Sequence, residues 1–268
     1  IMTAEMPKGG KLSLDMMYKT AGIQINYDYI SEEDFEKKFK IGNYLAPLTI
    51  ALFANSPFNE NKLSGFLSYR GKVWQETNRG GIMPITFENV NFEKYIDHAI
   101  NYPILFLKKN GKYYSPNGQT FRDFLNGNLS FLKGEKPTLE DFENHLGTIF
   151  TEIRLKQVIE FRSLDTCNFG CICNGPSFFT GLIYGSLDET YEIIKNWKKE
   201  EVMDAYLNAP KQGLNTLLKN KKLIDWAKIF LDISKKGLDK RNELNKSGKN
   251  ETIYLKHIEE IISNKKTR

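Results

Sequence analysis

Residues 154 to 162, RLKQVIEFR, set Arg154, Lys156, Glu160 and Arg162 on even positions. In an extended chain those four side chains share one side. Three cations and a carboxylate gathered this way could serve phosphoryl transfer. Arg and Lys offset charge on phosphate oxygens, and a carboxylate can hold the Mg²⁺ that bridges them. The odd positions are Ile153, Leu155, Gln157, Ile159 and Phe161. The pattern predicts one strand with an apolar face and an ionic face. A salt-bridged row on a solvent-facing sheet would show the same pattern, with each pair worth little.

A second constellation lies in GFLSYRGKVWQETNRGG, residues 65 to 81. Arg70, Trp74 and Arg79 are expected in a Gly-containing loop, with guanidinium groups suited to bidentate capture of carboxylates and an indole that can wall a pocket. A surface loop with a half-buried Trp is the plainer reading. Gln24 and Asn26 stand on the polar face of an alternating segment and could add amide contacts to an amino-acid ligand, or be ordinary sheet polars.

Cys167, Cys171 and Cys173 form a C-x3-C-x-C run. It is one residue short of a radical-chemistry iron–sulfur spacing, and His98, His145 and His257 all lie far off in sequence. A reduced, partly buried loop in a reducing compartment is expected.

The elements that must position these residues are mixed. Residues 20 to 29 alternate, with Ile23, Ile25, Tyr27 and Tyr29 on one face, as a half-buried strand does. Ser31 with Asp34 reads as a helix cap, followed by Phe35, Phe39, Leu45, Leu48 and Leu52 at helical spacing up to Asn55-Ser56-Pro57, with a kink at Pro47. Residues 92 to 101 look helical, and Lys109-Asn110-Gly111-Lys112 reads as a hairpin turn. Thr138 with Asp141 and Ser186 with Glu189 cap two more helices, and 214 to 238 has helical apolar spacing. No Gly/Ser-rich linker interrupts the 268 residues, so they read as one α+β unit with a helical tail.

Composition is that of an ordinary globular chain, 40% hydrophobic and 26% charged. The net charge of +5 comes from 38 Lys and Arg scattered among 33 Asp and Glu, which gives no nucleic-acid footprint but allows small polyanionic ligands. No apolar run reaches the roughly 20 residues of a membrane-spanning helix. A cytoplasmic protein without membrane or nucleic-acid partners is expected; oligomeric state is not legible.

Five ordered runs, MMYKTAGIQINYDY (16 to 29), LAPLTIALFANSPF (45 to 58), GFLSYRGKVW (65 to 74), EIRLKQVIEFRSLD (152 to 165) and PSFFTGLIY (176 to 184), resemble segments of plant and proteobacterial glutamate–cysteine ligases. GLDKRNEL (237 to 244) extends the resemblance. It implies a glutamine-synthetase-like catalytic fold, an antiparallel sheet curved around the active site with helices outside. It also implies ATP- and Mg²⁺-dependent ligation of glutamate to cysteine through γ-glutamyl phosphate, the first step of glutathione synthesis. By that pattern Glu160 would bind Mg²⁺, Arg162 would contact the transferred phosphoryl group, and Arg154 and Lys156 would lie near the nucleotide phosphates. Arg70 would take the substrate carboxylate, Trp74 would shape that pocket, and Gln24 and Asn26 would line its floor.

There are departures. The family's acidic metal-binding segment has no counterpart, and the chain opens at Ile1 and closes on Lys265-Lys266-Thr267-Arg268. A single catalytic domain spanning 1–268, incomplete at both ends and inactive alone, is therefore expected. The loop from Trp74 to Met83 is short against the pattern, and of the three cysteines only Cys173 matches a family position. A related ligase using another amine, or a non-catalytic paralogue of the fold, are the alternatives.

Overall fold

A computed structural model describes residues 1–77 and 79–265; the end of the chain from Lys266 on lies outside the described residues. Two short helices, α1 (Met2–Glu5) and α2 (Ser13–Lys19), lead into strand β1 (Gly22–Tyr27). Its alternation is realised: Ile23, Ile25 and Tyr27 are buried, while Gln24 and Asn26 are exposed. Ser31 caps α3 (Glu32–Tyr44), its Oγ accepting from the Asp34 N–H at 3.1 Å.

The single helix kinked at Pro47 is in fact two helices. α3 stops at Tyr44, and α4 (Ala46–Leu52) begins with Pro47 in its first turn. Proline lacks the N–H that a helix interior needs and is tolerated in a first turn, where that N–H has no partner. A two-residue-per-strand hairpin, β2 (Phe58–Asn59) and β3 (Lys62–Leu63), follows. Then come α5 (Tyr69–Gln75) and α6 (Phe92–Ile100).

Strands β4 (Leu107–Lys109) and β5 (Lys112–Tyr114) pair around Asn110 and Gly111, whose φ values of 49° and 73° are those the Asn-Gly hairpin turn requires. α7 (Phe121–Leu125) and α8 (Leu139–Gly147) both begin with a capping box; in α8 it joins Thr138 to Asp141.

The run expected as one strand from 153 to 162 is a hairpin, β6 (Ile153–Leu155) and β7 (Ile159–Asp165). Its turn is closed by the Lys156 N–H donating to the Val158 carbonyl at 2.9 Å. The register pairs Ile153 with Phe161, Arg154 with Glu160 and Leu155 with Ile159. A three-residue loop conserves parity, so even positions still share a face after the chain reverses. The three strands form an antiparallel sheet in the order β1-β7-β6. Between Ile23 and Ile25 the register slips, leaving Arg162 and Ser163 together opposite Gln24 as a bulge.

The rest is largely helical: α9 (Asn174–Thr180), a π-turn at Gly181–Gly185, α10 (Leu187–Ile194) and α11 (Lys199–Gln212). Ser186 occupies the N-cap position of α10 without a side-chain capping bond. The helix expected from 214 starts later. A small hairpin, β8 (Leu217–Leu218) and β9 (Lys221–Lys222), precedes α12 (Leu223–Arg241), and α13 (Lys256–Asn264) follows. The apolar sheet face, with Phe161, Leu164 and Ile153, joins Phe35, Phe39, Phe178 and Phe179 in one buried core. The expectation of a reduced cysteine loop fails: Cys167 and Cys171 form a disulfide, and Cys173 is a free, exposed thiol. Among the described residues no helix is long and apolar enough to cross a membrane.

Candidate active site

The face of the sheet turned away from that core is built by the β6–β7 hairpin. Arg154 stands opposite Glu160, and its Nε donates to Glu160 Oε2 at 2.6 Å with Nη2 at 2.5 Å from the same oxygen. Arg162 Nη1 donates to that oxygen at 3.2 Å and to Gln24 Oε1 at 2.8 Å. Lys156 Nζ lies 3.7 Å from Glu160 Oε1 with its side chain 38% exposed, against 10% for Glu160. One buried carboxylate thus serves three cations. Arg154 is further fixed by donating Nη1 to the carbonyls of Gly147 and Ile149. Asn26 faces Glu160 in the β1 register, at the exposed margin.

Arg70 and Trp74 were expected in a loop; they lie one turn apart on α5, whose N-cap Ser68 accepts from the Gly71 N–H at 3.0 Å. That spacing stacks the Arg70 guanidinium on its own helix's indole, 4.9 Å from the ring centre. Arg162 approaches the same indole at 5.2 Å. Arg70 Nη2 also donates to the Arg162 carbonyl. Trp74 is held in place by Met6, Met16 and Leu105, so the N-terminal helices back this wall.

Arg79 does not join them. Its guanidinium donates to Thr148 O, Thr148 Oγ1 and Pro103 O, and it lines a separate cavity of about 410 Å³ with Glu5, Tyr102 and Asn117.

Two acids and a phenol join the face beyond the residues that the sequence pattern marks. Glu152, wholly buried, is an even position two before Arg154, and its Oε1 accepts from the Tyr206 hydroxyl at 2.6 Å. Asp165 ends β7 and accepts from the Asn55 N–H, Ser56 Oγ and Ser68 Oγ at 2.7–2.9 Å, tying the segment after α4 and the cap of α5 to the sheet. Both lay within the quoted run, and parity alone would have put Glu152 with the others. Tyr206 lies 54 residues away on α11 and left no local signal.

Burial, then the charge of Arg154, pulls the Arg162 guanidinium down to about 10, which leaves it protonated at neutral pH. Burial raises Glu152 and Asp165, and the Arg70 charge opposes that rise in both. Arg70 Nη1, Trp74 Nε1, Arg162 Nε and Glu152 Oε2 are buried polar atoms without a hydrogen-bond partner among the described residues. Buried polar groups are rarely left so. Three of these four are N–H donors gathered about one indole, a set that suits the oxygens of a carboxylate or phosphate.

The residues fit oxyanions better than a metal. Among the described residues no group of three His, Cys, Asp or Glu could hold an ion. Glu160, the expected Mg²⁺ ligand, has Oε2 occupied by two guanidiniums. A divalent cation brought to it would face Arg154, Arg162 and Lys156 at close range. The residues present therefore do not by themselves fit a magnesium ion.

An α+β protein with a small antiparallel sheet, one face apolar and the other ionic and rich in guanidinium groups, is the class this geometry defines. Residues 1–265 match Glutamate-cysteine ligase family 2 (GCS2). The chain is 40% identical to the chloroplastic glutamate–cysteine ligase B of rice (Oryza sativa subsp. japonica), over 98% of this chain and 53% of that protein. It is 40% identical to the chloroplastic glutamate–cysteine ligase of tomato, Solanum lycopersicum, over 96% of this chain and 49% of that protein. The chain belongs to the glutamate–cysteine ligase family 2. It spans about half the length of these relatives.

Proposed function

We propose that this chain is the catalytic part of an ATP-dependent ligase that joins the γ-carboxylate of L-glutamate to the amine of L-cysteine through γ-glutamyl phosphate, the first step of glutathione biosynthesis. The observation that carries the reading is the pair of guanidiniums on one indole, Arg70 at 4.9 Å and Arg162 at 5.2 Å, with N–H groups to spare. Family membership supplies the reaction class.

The chemistry explains the demand for such a face. A carboxylate is a poor acyl donor because its leaving group would be oxide, and phosphorylation supplies a leaving group that departs at neutral pH. What the protein must then contribute is charge neutralisation and placement. In this reading Arg162 bears on the transferred phosphoryl group. Lys156, with its partly exposed ammonium, and Arg154 beside it bear on the nucleotide phosphates. Arg70 takes the α-carboxylate of glutamate against the Trp74 wall, with Gln24 and Asn26 at the exposed floor. Glu160 fixes the Arg154–Arg162 pair in register, and the expected Mg²⁺ would arrive with ATP.

The sheet, ionic on one face and helix-packed on the other, is proposed as the core of a glutamine-synthetase-like fold. The cytoplasm is proposed as the compartment, and fractionation of the source cells decides between it and the plastid that the plant relatives' names specify.

The test is to trap the intermediate. The full-length natural protein, given glutamate, MgATP and hydroxylamine without cysteine, forms glutamyl hydroxamate if the acyl phosphate is made. Turnover only with some other amine in place of cysteine would move the assignment to a related ligase. No ADP and no hydroxamate under any of these conditions would overturn the reading.

A further inference from the structure

We propose that Glu152, clamped by Tyr206, is a positioning residue that holds the two substrate-gripping arginines, Arg70 and Arg162, in their arrangement around Trp74; the proposal rests on the ligase reading above. Backbone pairing carries the first part of the argument. The Arg162 N–H donates to the Glu152 carbonyl at 2.9 Å, which continues the β6–β7 register one pair beyond Ile153 and Phe161. Residues directly opposite on antiparallel strands share a face with Cβ atoms about 5 Å apart. The sheet face is thus a checkerboard: Glu152 opposite Arg162, and Arg154 opposite Glu160.

Charge carries the second part. Arg70, Arg154 and Arg162 place three buried guanidiniums on or beside this face. Glu160 engages Arg154 and Arg162; among the described residues neither Glu160 nor Glu152 makes a direct ion pair with Arg70, and Glu152 acts on the two arginines through its charge across the shared face. Arg70 and Arg162 share one indole and repel each other, and Glu152 is the carboxylate whose charge couples to both. The groups facing Glu152 are Arg70 from α5, Arg162 and the more distant Asp165 from β7, and Tyr206 from α11.

The clamp carries the third part. Glu152 Oε1 accepts from Tyr206 Oη at 2.6 Å, while the Glu152 N–H donates to the Gly81 carbonyl at 2.9 Å. Tyr206 is fixed in turn, its own carbonyl accepting from Gln75 Nε2 on α5 at 2.5 Å. A carboxylate with no exposed surface, one oxygen tied to a phenol and the other without a hydrogen-bond partner among the described residues, is placed to hold its neighbours rather than to touch a ligand.

The experiment uses the full-length natural protein and its variants Glu152→Gln, Glu152→Asp and Tyr206→Phe, with KM for glutamate and for ATP, kcat and melting temperature all read. Glu152→Gln is expected to raise KM for glutamate about tenfold, the scale of one lost charge-assisted contact, with KM for ATP within about threefold. Glu152→Asp restores part of that loss. Tyr206→Phe removes a bond that favours the ionised carboxylate, so the acid limb of kcat/KM for glutamate moves to higher pH. Equal effects on both KM values, or none, in a folded Glu152→Gln enzyme overturn the proposal. Should Glu152→Gln not fold, an unmoved acid limb in Tyr206→Phe overturns it. A wild-type protein that makes no γ-glutamyl product refutes the ligase reading itself and this proposal with it, an outcome distinct from an active wild type with indifferent variants.

Discussion

Replacing Glu160 by Gln keeps the shape of the side chain and removes its charge, leaving Arg154 and Arg162 without their shared partner. The side chains of all three are at most 10% exposed. Breaking a buried pair by removing one partner costs about 3–5 kcal/mol, because an uncompensated charge stays behind. The Gln amide oxygen still accepts one hydrogen bond, so the lower end, about 3 kcal/mol, is expected. Over 268 residues each kcal/mol moves the melting temperature by about 2 °C, and by less in a longer protein, which predicts a fall of about 3–6 °C. Lys156→Ala is the internal control. Its side chain is 38% exposed and its Nζ lies 3.7 Å from Glu160 Oε1, and loss of so open a pair costs under about 1 kcal/mol. Melting both variants of the full-length protein beside wild type at pH 7 measures the difference. Inorganic pyrophosphate provides a second arm: its oxygens compensate the stranded guanidiniums, so it should stabilise Glu160→Gln more than wild type. Equal melting temperatures for Glu160→Gln and Lys156→Ala, with no differential response to pyrophosphate, would refute the view of Glu160 as the electrostatic centre of the face.

Elsewhere in the fold, Gly237→Ala would bring a Cβ to 2.0 Å from the Gly181 carbonyl oxygen, where α12 meets the π-turn backbone to backbone. A loss of at least about 1–3 kcal/mol is expected by urea denaturation. His145 is buried, donates Nε2–H to the Ala99 carbonyl at 2.8 Å and stacks on Phe121. Burial depresses it from 6.5 to about 4. The unfolded chain then binds a proton that the folded one refuses, so stability is full above about pH 6.5 and falls as pH drops toward 4, by about 3 kcal/mol in all. His145→Gln should flatten that part of a urea-midpoint profile against pH; an unchanged slope would contradict the assignment.

Local signals made much of the fold legible. Alternation in β1, the Ser31 and Thr138 caps and the Asn110-Gly111 turn each depend on residues within a few positions of one another. The β6–β7 reversal was hidden because a three-residue loop leaves the parity of both arms unbroken. The same parity is why Arg154, Glu160 and Arg162 converge as expected despite the wrong element. α5 was hidden by the glycines around it: Gly65, Gly71, Gly80 and Gly81 suggest a loop, while only Ser68 marks a cap. Pro47 marks the right stretch, but whether it kinks one helix or opens a second depends on where the preceding helix stops, which the local sequence does not show. The C-x3-C-x-C spacing holds no information on oxidation state, so the Cys167–Cys171 bridge was not readable. Tyr206 reaches Glu152, and Gln75 reaches Tyr206, only because α11 folds back across α5.

The central claim is that Arg162 on this sheet face stabilises phosphoryl transfer to glutamate on the way to a peptide-like bond with cysteine. The most direct measurement is γ-glutamylcysteine formed by the full-length protein from glutamate, cysteine and MgATP, detected by mass spectrometry, in wild type and in Arg162→Ala. The account predicts cysteine-dependent product from wild type and a loss of at least about 100-fold in kcat from the variant, with the fold intact by circular dichroism. Product formed equally by Arg162→Ala, or none by wild type, would contradict it.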